Sequence, residues 1–562
     1  MKNSVKILLT TVASGVLLVG CGGGGSSNNT TTTVVPPPPP PPVSTAPSFS
    51  PGVFAPSADF VDQCEAPRTG VDPLSDSGSQ YRDTDGSTLI EKFWIRSWSD
   101  ETYLWNTEIA DTDPNSIADR VGYFDVTKSF ELSETGSGRE KDDFHFSEPT
   151  DDFVERRNST ASSGYGLSLT SVGPRDADGF SIPPRDFRIL YTEPNSPASA
   201  TQNGQVNFPR GTRILEVDGA DLVNGNDADT LNAGLFPAVA GEEHTFRVRD
   251  IDGTERTFTI TSTDVAQAPV NRTEIVDTPT GKVGYVLFNT FSPFESEASL
   301  NEAFTQLETE EIDDLVLDLR YNGGGLVVVA AQLGYMIAGG DRTAGRTASL
   351  LQYNEAAGNT NPITGEVVNP IPFVDTGVGF SLLTSTDLAT VDLPRVFVLT
   401  TEGTCSASEL VINSLLGIDY EVIMIGDTTC GKPYGFLPTD NCGRTYYTIQ
   451  FRSVNDKGFG DYSDGFSPDD SDNLFSEKTL GCSVSDDITK ELGDPEEALF
   501  AAAMYYRDNN SCPVTATAKT YNRTEKSNFS SVDNGFAVKA IGDPFETTAD
   551  SYLDATLPTE AP

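Results

Sequence analysis

Basic residues and histidine are what this chain of 562 residues has least of. It carries 37 Lys+Arg against 83 Asp+Glu, a formal net charge of -46, and only two histidines, His145 and His244. A polyanion of this kind repels phosphate backbones, which argues against nucleic-acid binding and for a soluble, self-repelling surface. Chemistry that needs an imidazole base has just two residues to draw on. Seven cysteines are present, without a CxxC pair or a Cys/His cluster at metal-ligand spacing, so no metal and no cofactor are expected. Long apolar runs are missing too, apart from Ile7–Val19, which is short for a membrane span.

That one run follows Lys2 and Lys6, as in a secretory signal. It closes on Leu18-Val19-Gly20-Cys21, which resembles the lipobox of bacterial lipoproteins. The resemblance implies a signal peptide at 1–20 and a lipidated (palmitate-bearing) Cys21 as mature N-terminus. A plain signal peptide with an incidental cysteine is the competing reading. No aspartate follows Cys21, which by the same resemblance implies an outer-membrane lipoprotein of the cell envelope, facing the periplasm or the cell surface. Residues 21–58 hold glycines, a threonine run and seven consecutive prolines, Pro36–Pro42. Such a stretch cannot bury enough apolar surface to order itself and reads as a tether. The other six cysteines suggest disulfides in an exported protein, and the sequence does not choose among the pairings.

The remainder divides by pattern. Residues 59–160 contain a helical stretch, Thr88–Trp105, with Leu89, Phe93, Trp94, Trp98 and Leu104 as its apolar face. Residues 161–266 switch to short alternating strands and turn signals, opened by Gly164-Tyr165-Gly166-Leu167. Residues 267–510 alternate strands and helices, among them a helix expected from Gly324 to Ile337 and a strand at Tyr446–Phe451, which indicates an α/β layer structure. Within them 340–392 is less regular, an insertion or lid. Residues 511–562 form a polar tail.

Three motifs carry chemistry. Val396–Thr400 reads as a strand delivering the chain to Thr404-Cys405-Ser406-Ala407-Ser408-Glu409, where a helix begins. Unpaired N–H groups and the positive end of the dipole gather at such a place, so the Ala407 N–H is a candidate oxyanion donor. Ser406-x-x-Glu409 is equally a capping box, and a cap serine needs no catalytic role. Asp318–Gly325 leaves a buried strand through three glycines, which permit close backbone approach and a second oxyanion donor at Gly324 or Gly325. Gly426–Pro433 sets Lys432 between glycine and proline after another strand. A buried lysine can act as the base for a serine hydroxyl, because desolvation disfavours its ammonium form. Cys405 and Cys430 flank the two residues, where a bridge would brace the site.

Together the motifs resemble the C-terminal processing (tail-specific) serine peptidases, over roughly residues 85–505. The family's "LDLRxNxGG", "SASE" and "GxxTxGK" signatures correspond to Leu317–Gly325, Ser406–Glu409 and Gly426–Lys432. Gly465–Asp469 resembles its later "G-x-x-PD" turn, and "GTRILEVDG" at 211–219 resembles a PDZ strand and turn. The resemblance implies an α/β, ClpP/crotonase-like catalytic core, preceded by a PDZ domain and an N-terminal helical segment. It implies a Ser406–Lys432 dyad, an oxyanion hole of Gly324 or Gly325 with Ala407, and a peptide-carboxylate loop at Gly164, Tyr165, Gly166 and Leu167. Protein or peptide substrates follow; the oligomeric state stays open. One departure stands out: many members orient the lysine with a glutamine, and here that position is Phe436, with Tyr434 or Thr428 as substitutes. Two other readings compete, a His145 base and a catalytically inactive peptide- or ligand-binding lipoprotein of the same fold.

Overall fold

The computed structural model describes residues 47–75, 77–158, 161–174 and 181–513. The signal peptide, Cys21, most of the tether and all but the start of the C-terminal tail lie outside them.

In chain order the elements that position the site are α1 (Thr88–Thr102), β1 (Phe146–Pro149), β2 (Leu167–Ser171), β3 (Phe187–Thr192), β4 (Arg213–Val217), α2 (Ala228–Leu235), β5 (Glu243–Arg249) and β6 (Glu255–Thr261). They continue with β7 (Val270–Thr278), β8 (Gly281–Phe288), α3 (Glu295–Thr309), β9 (Asp314–Asp318), α4 (Val327–Ala338), β10 (Arg395–Thr400), α5 (Ala407–Gly417) and β11 (Glu421–Gly426). β12 (Arg444–Tyr447), β13 (Gly481–Ser483) and α6 (Ala498–Asn509) complete the set.

The core is a six-stranded sheet in the order β7-β8-β9-β10-β11-β13, parallel throughout except for the β7/β8 hairpin. Parallel strands are covered on both faces, so they need apolar residues at successive positions. β9, Asp-Leu-Val-Leu-Asp, is buried at every residue. Alternate side chains then serve opposite layers. Leu315, Leu317, Val396, Val398, Val422 and Met424 pack with α3, α4 and α5. Val316, Phe397, Leu399, Ile423 and Ile425 pack with α6 through Leu499 and Phe500. The turns that leave the carboxyl ends of β9 and β10 thereby lie side by side.

Residues 161–266 form a second sheet, antiparallel, in the order β6-β5-β4-β3-β2, with α2 packed through Leu231 and Leu235 into its core. β2 is the end strand. The α/β reading of the core and the strand reading of 161–266 agree with this architecture, with boundaries moved by a residue or two at most elements. Three local expectations differ. The helix expected from Gly324 starts at Val327, because Gly324 and Gly325 have φ of +109° and +132°, outside any helix. The single strand expected at Tyr446–Phe451 is split in two, Arg444–Tyr447 and Phe451–Val454. The 340–392 segment is no loose flap: Ile371, Phe373, Val374 and Leu388 are buried in the core. The buried Glu297 carboxylate fastens it, accepting the backbone N–H groups of Val378, Ser381 and Leu382.

The N-terminal segment is laid onto the core. α1 ends at Thr102 rather than at Trp105, and buries Phe93, Trp94 and Trp98, while β1 pairs antiparallel with β12. Three disulfides use all six remaining cysteines: Cys64–Cys442, Cys405–Cys430 and Cys482–Cys512. The first ties residue 64 to the core across 378 positions of sequence. Among the described residues no helix is long and apolar enough to cross a membrane.

Candidate active site

Ser406 occupies the sharp turn between β10 and α5. Its φ of 54° and ψ of -112° are costly for a residue with a Cβ, on the order of 1–3 kcal/mol. Three hydrogen bonds hold that turn. Asn322 O accepts from the Cys405 N–H (3.0 Å) and the Ser408 hydroxyl (2.9 Å), and the Thr404 hydroxyl donates to Leu319 O at 2.9 Å. The turn is thus sewn to the glycine loop that follows β9.

That loop passes so close that a side chain would not fit. A Cβ on Gly324 would fall 2.7 Å from Ser406 Cβ and 2.9 Å from the Ala407 nitrogen. Glycine is therefore required here by space as well as by φ. The Gly324 N–H is already committed, donating to Asn322 Oδ1 at 2.9 Å. No protein acceptor for the N–H groups of Gly325 and Ala407 is seen among the described residues. Of the two glycines put forward as oxyanion donors, the geometry leaves Gly325.

The sequence presents Glu409 only as part of a helix cap. In the fold its carboxylate is wholly buried and receives four donors from two segments. Oε2 accepts the backbone N–H of Ser406 (3.0 Å) and of Lys432 (2.8 Å), and Oε1 accepts the Gly431 N–H (2.8 Å) and the Thr429 hydroxyl (2.5 Å). Burial raises its pKa above the ordinary carboxyl value, against the pull of these donors. One oxygen atom therefore fixes the backbone of Ser406 and of Lys432 together. The Cys405–Cys430 disulfide joins the same two turns covalently, with Cα atoms 5.2 Å apart.

Lys432 is 7% exposed. Its Nζ lies over two aromatic rings, 4.4 Å from the centre of Phe436 and 5.0 Å from that of Phe144. Gly431 and Gly465 allow the lysine turn and the 463–466 turn to touch: a Cβ on Gly431 would sit 2.3 Å from Ser463 O, and one on Gly465 2.2 Å from Thr429 O. The proposed substitutes for a lysine-orienting glutamine are engaged elsewhere. Thr428 shares a hydrogen bond with Ser467 (2.6 Å), and Tyr434, its pKa pushed up to about 12 by burial, packs edge-on against Trp105.

His145 does not face the serine as a free base. Its ring is fully buried and stacked on Phe124; Nε2 donates to Phe124 O (2.9 Å), and Nδ1 accepts from the Thr448 hydroxyl (3.1 Å). Burial pushes its pKa down to about 3. Both nitrogens are occupied, so the His145 reading is set aside.

A family model matches the segment that holds these residues. Residues 282–440, which contain Gly324, Gly325, Ser406, Ala407, Glu409 and Lys432, match peptidase family S41. That match is a similarity of the core segment and covers less than a third of the chain. Carboxyl-terminal-processing peptidase 3 of the Arabidopsis thaliana chloroplast is 25% identical over 235 residues, 40% of this chain and 39% of that protein, so this chain spans about two fifths of the relative's length. A candidate S41 protease of Bacteroides fragilis has the same fold, with 22% identity, a TM-score of 0.55, and coverage of 74% of this chain and 97% of that one. The photosystem II D1 C-terminal processing protease aligns at 20% identity with a TM-score of 0.41, covering 75% of this chain and 99% of that one.

At the far end of the second sheet, Gly164, Tyr165, Gly166 and Leu167 form a turn into β2. Gly166 has φ +75°, and a Cβ there would meet Ser196 at 2.5 Å. The Tyr165 hydroxyl donates to Gly234 O (2.9 Å), tying the turn to α2. Among the described residues the outer edge of β2 carries no further strand of its sheet.

Two functional candidates escaped the sequence. Glu409 as a clamp gives no signal beyond a cap pattern. Phe144 lies 288 positions from the lysine it faces, and no local pattern links them.

Proposed function

We propose that this chain is a serine peptidase of the C-terminal processing type, working through a Ser406–Lys432 dyad. The observation that supports it best is the shared Glu409 oxygen, which fixes Ser406 and Lys432 on one atom. In the proposed step the neutral amine of Lys432 takes the Ser406 proton as Oγ bonds to the scissile carbonyl carbon. The Gly325 and Ala407 N–H groups stabilise the resulting oxyanion. The Lys432 ammonium then returns the proton to the departing amine as the C–N bond breaks, leaving an acyl-Ser406. Water, deprotonated by the same amine, releases the second product. No metal or cofactor takes part in this scheme.

The sheet of 161–266 is proposed to act as a PDZ domain. A substrate's C-terminal residues would add to the open edge of β2, with their carboxylate at the Gly164–Leu167 turn. Lipidation at Cys21 and an envelope location are proposed from the sequence alone.

A fluorophosphonate probe tests the dyad. Labelling of the wild type, lost in both Ser406→Ala and Lys432→Ala, is the expected result. Cleavage of a peptide with an apolar C-terminus should be lost with it. Absence of labelling and cleavage in the wild type, with the peptide still bound, would establish the inactive binding protein instead. Labelling that survives Lys432→Ala would remove the lysine from the role of base.

A further inference from the structure

The lysine loop is held from outside the S41 segment. Arg139 Nη1 donates to Cys430 O (2.8 Å) and Ser463 O (3.1 Å), at the start of the loop and on the turn beneath it. Trp105 packs edge-on against Tyr434 at 4.9 Å between ring centres. Between these contacts the Phe144 ring lies under Lys432 Nζ, and Phe146 packs edge-on against Phe436, the second ring under that amine. Four residues of one N-terminal stretch thus grip residues 430–436, although none belongs to the matched family region.

We propose that Phe144 and Phe436 are positioning residues for the Lys432 amine, and that the N-terminal segment completes the catalytic machinery by delivering Phe144. This rests on the dyad proposed above. An aromatic face attracts an ammonium through its quadrupole and leaves a free amine nearly untouched. Its fixed plane also restricts where a flexible four-carbon chain can put its nitrogen. Two rings therefore aim the amine at the cost of a smaller neutral fraction at a given pH. Charged groups near the amine include Asp142, whose buried carboxylate feels Lys432, and Glu409, which holds the Lys432 backbone. His145 stays neutral beside Asp142, 3.9 Å away. None of these changes when a ring is replaced by an aliphatic side chain, so the effect of the rings is separable.

The test uses the full-length protein, oxidised, in four forms: wild type, Phe144→Leu, Phe436→Leu and Phe144→Tyr. Fluorophosphonate labelling rate is followed against pH, and peptide cleavage gives kcat and KM. Either leucine variant should lower kcat by about tenfold with KM unchanged. Either should also move the acid limb of the labelling profile down by about half a pH unit, the size expected for one ring face. Phe144→Tyr keeps a ring and should keep both the limb and kcat. Thermal unfolding of each variant reports the fold independently. A lowered melting temperature with limb and kcat at wild-type values would overturn the proposal and leave the dyad standing. Wild-type protein that never labels would overturn the dyad itself.

Discussion

Removing the Glu409 clamp is the sharpest perturbation the site offers. In Glu409→Ala, four donors lose their acceptor inside the protein: three backbone N–H groups and the Thr429 hydroxyl. Hydrogen bonds to a charged group contribute about 1.5–3 kcal/mol each, and an unsatisfied buried donor costs about 1–3 kcal/mol. Part of this is offset, because the buried charge itself is also removed. A net loss of about 4 kcal/mol is expected, at the high end for one substitution. Glu409→Gln should behave differently. Its amide NH2 can face the Thr429 hydroxyl, which rotates to accept, while its oxygen keeps Ser406 and Lys432. The Gly431 N–H and the Thr429 hydroxyl proton then lose their acceptor, a loss of about 3 kcal/mol. Urea unfolding with disulfides intact measures both, and fluorophosphonate labelling measures the site. The reasoning predicts that Glu409→Ala abolishes labelling even where folded, and that Glu409→Gln retains a reduced rate. Wild-type labelling in folded Glu409→Ala would refute the claim that this carboxylate sets the dyad.

Gly324→Ala pushes a methyl against Ser406 and Ala407 from a φ of +109°, so labelling should fall at least about a hundredfold; a fall under threefold would mean the loop can retreat. The His145 pKa lies below its unfolded value, so its contribution to stability is complete above about pH 6.5 and is lost as pH falls toward 3. About 2 kcal/mol should disappear between pH 6.5 and 5, and His145→Gln should flatten the urea midpoint over that range; an unchanged slope would contradict the assignment. Opening the Cys405–Cys430 bridge, by Cys405→Ala with Cys430→Ala, frees a loop of 25 residues and should cost about 3 kcal/mol. Labelling should slow, since only hydrogen bonds, those of Glu409 and that of the Cys430 N–H to Thr404 O, then join the two turns; an unaltered rate and midpoint would show the bridge to be dispensable.

The parts of this site written in glycine and alternation were readable from the chain. Gly324, Gly431 and Gly465 each lie where another backbone passes too near for a Cβ, and each falls inside a motif the sequence displayed. β9 and β10 were readable because strands buried on both faces need unbroken apolar runs. What stayed hidden depends on tertiary approach. Glu409 looks the same in sequence whether it caps one helix or binds two loops. Phe436 read as a missing glutamine; in the fold it lies against Lys432 beside Phe144, a contact that exists only because β1 pairs with β12. The single strand expected at 446–451 failed for a related reason, since Thr448 turns inward to His145 where the ladder breaks.

A buried ionic cluster explains how the glycine loop keeps its place against the second sheet. Arg320 donates to Asp318 and Glu497 and, at 2.7 Å, to Asp486. Asp486 also accepts from Arg210, which lies between the two sheets and donates to Leu190 O on β3. The Tyr285 and Tyr321 hydroxyls donate to Asp318 and Asp486. Such clusters contribute little net stability compared with apolar replacements, but removing one partner leaves an uncompensated charge. Their effect is therefore on geometry: Arg320 can sit in only one place, and Asn322, two residues on, is held where its side chain accepts the Gly324 N–H. The Ser406 turn is strained, and strain persists only where the surroundings over-determine it. Here Asn322 fixes it from the glycine loop and Glu409 from the lysine loop, and the ionic cluster fixes Asn322.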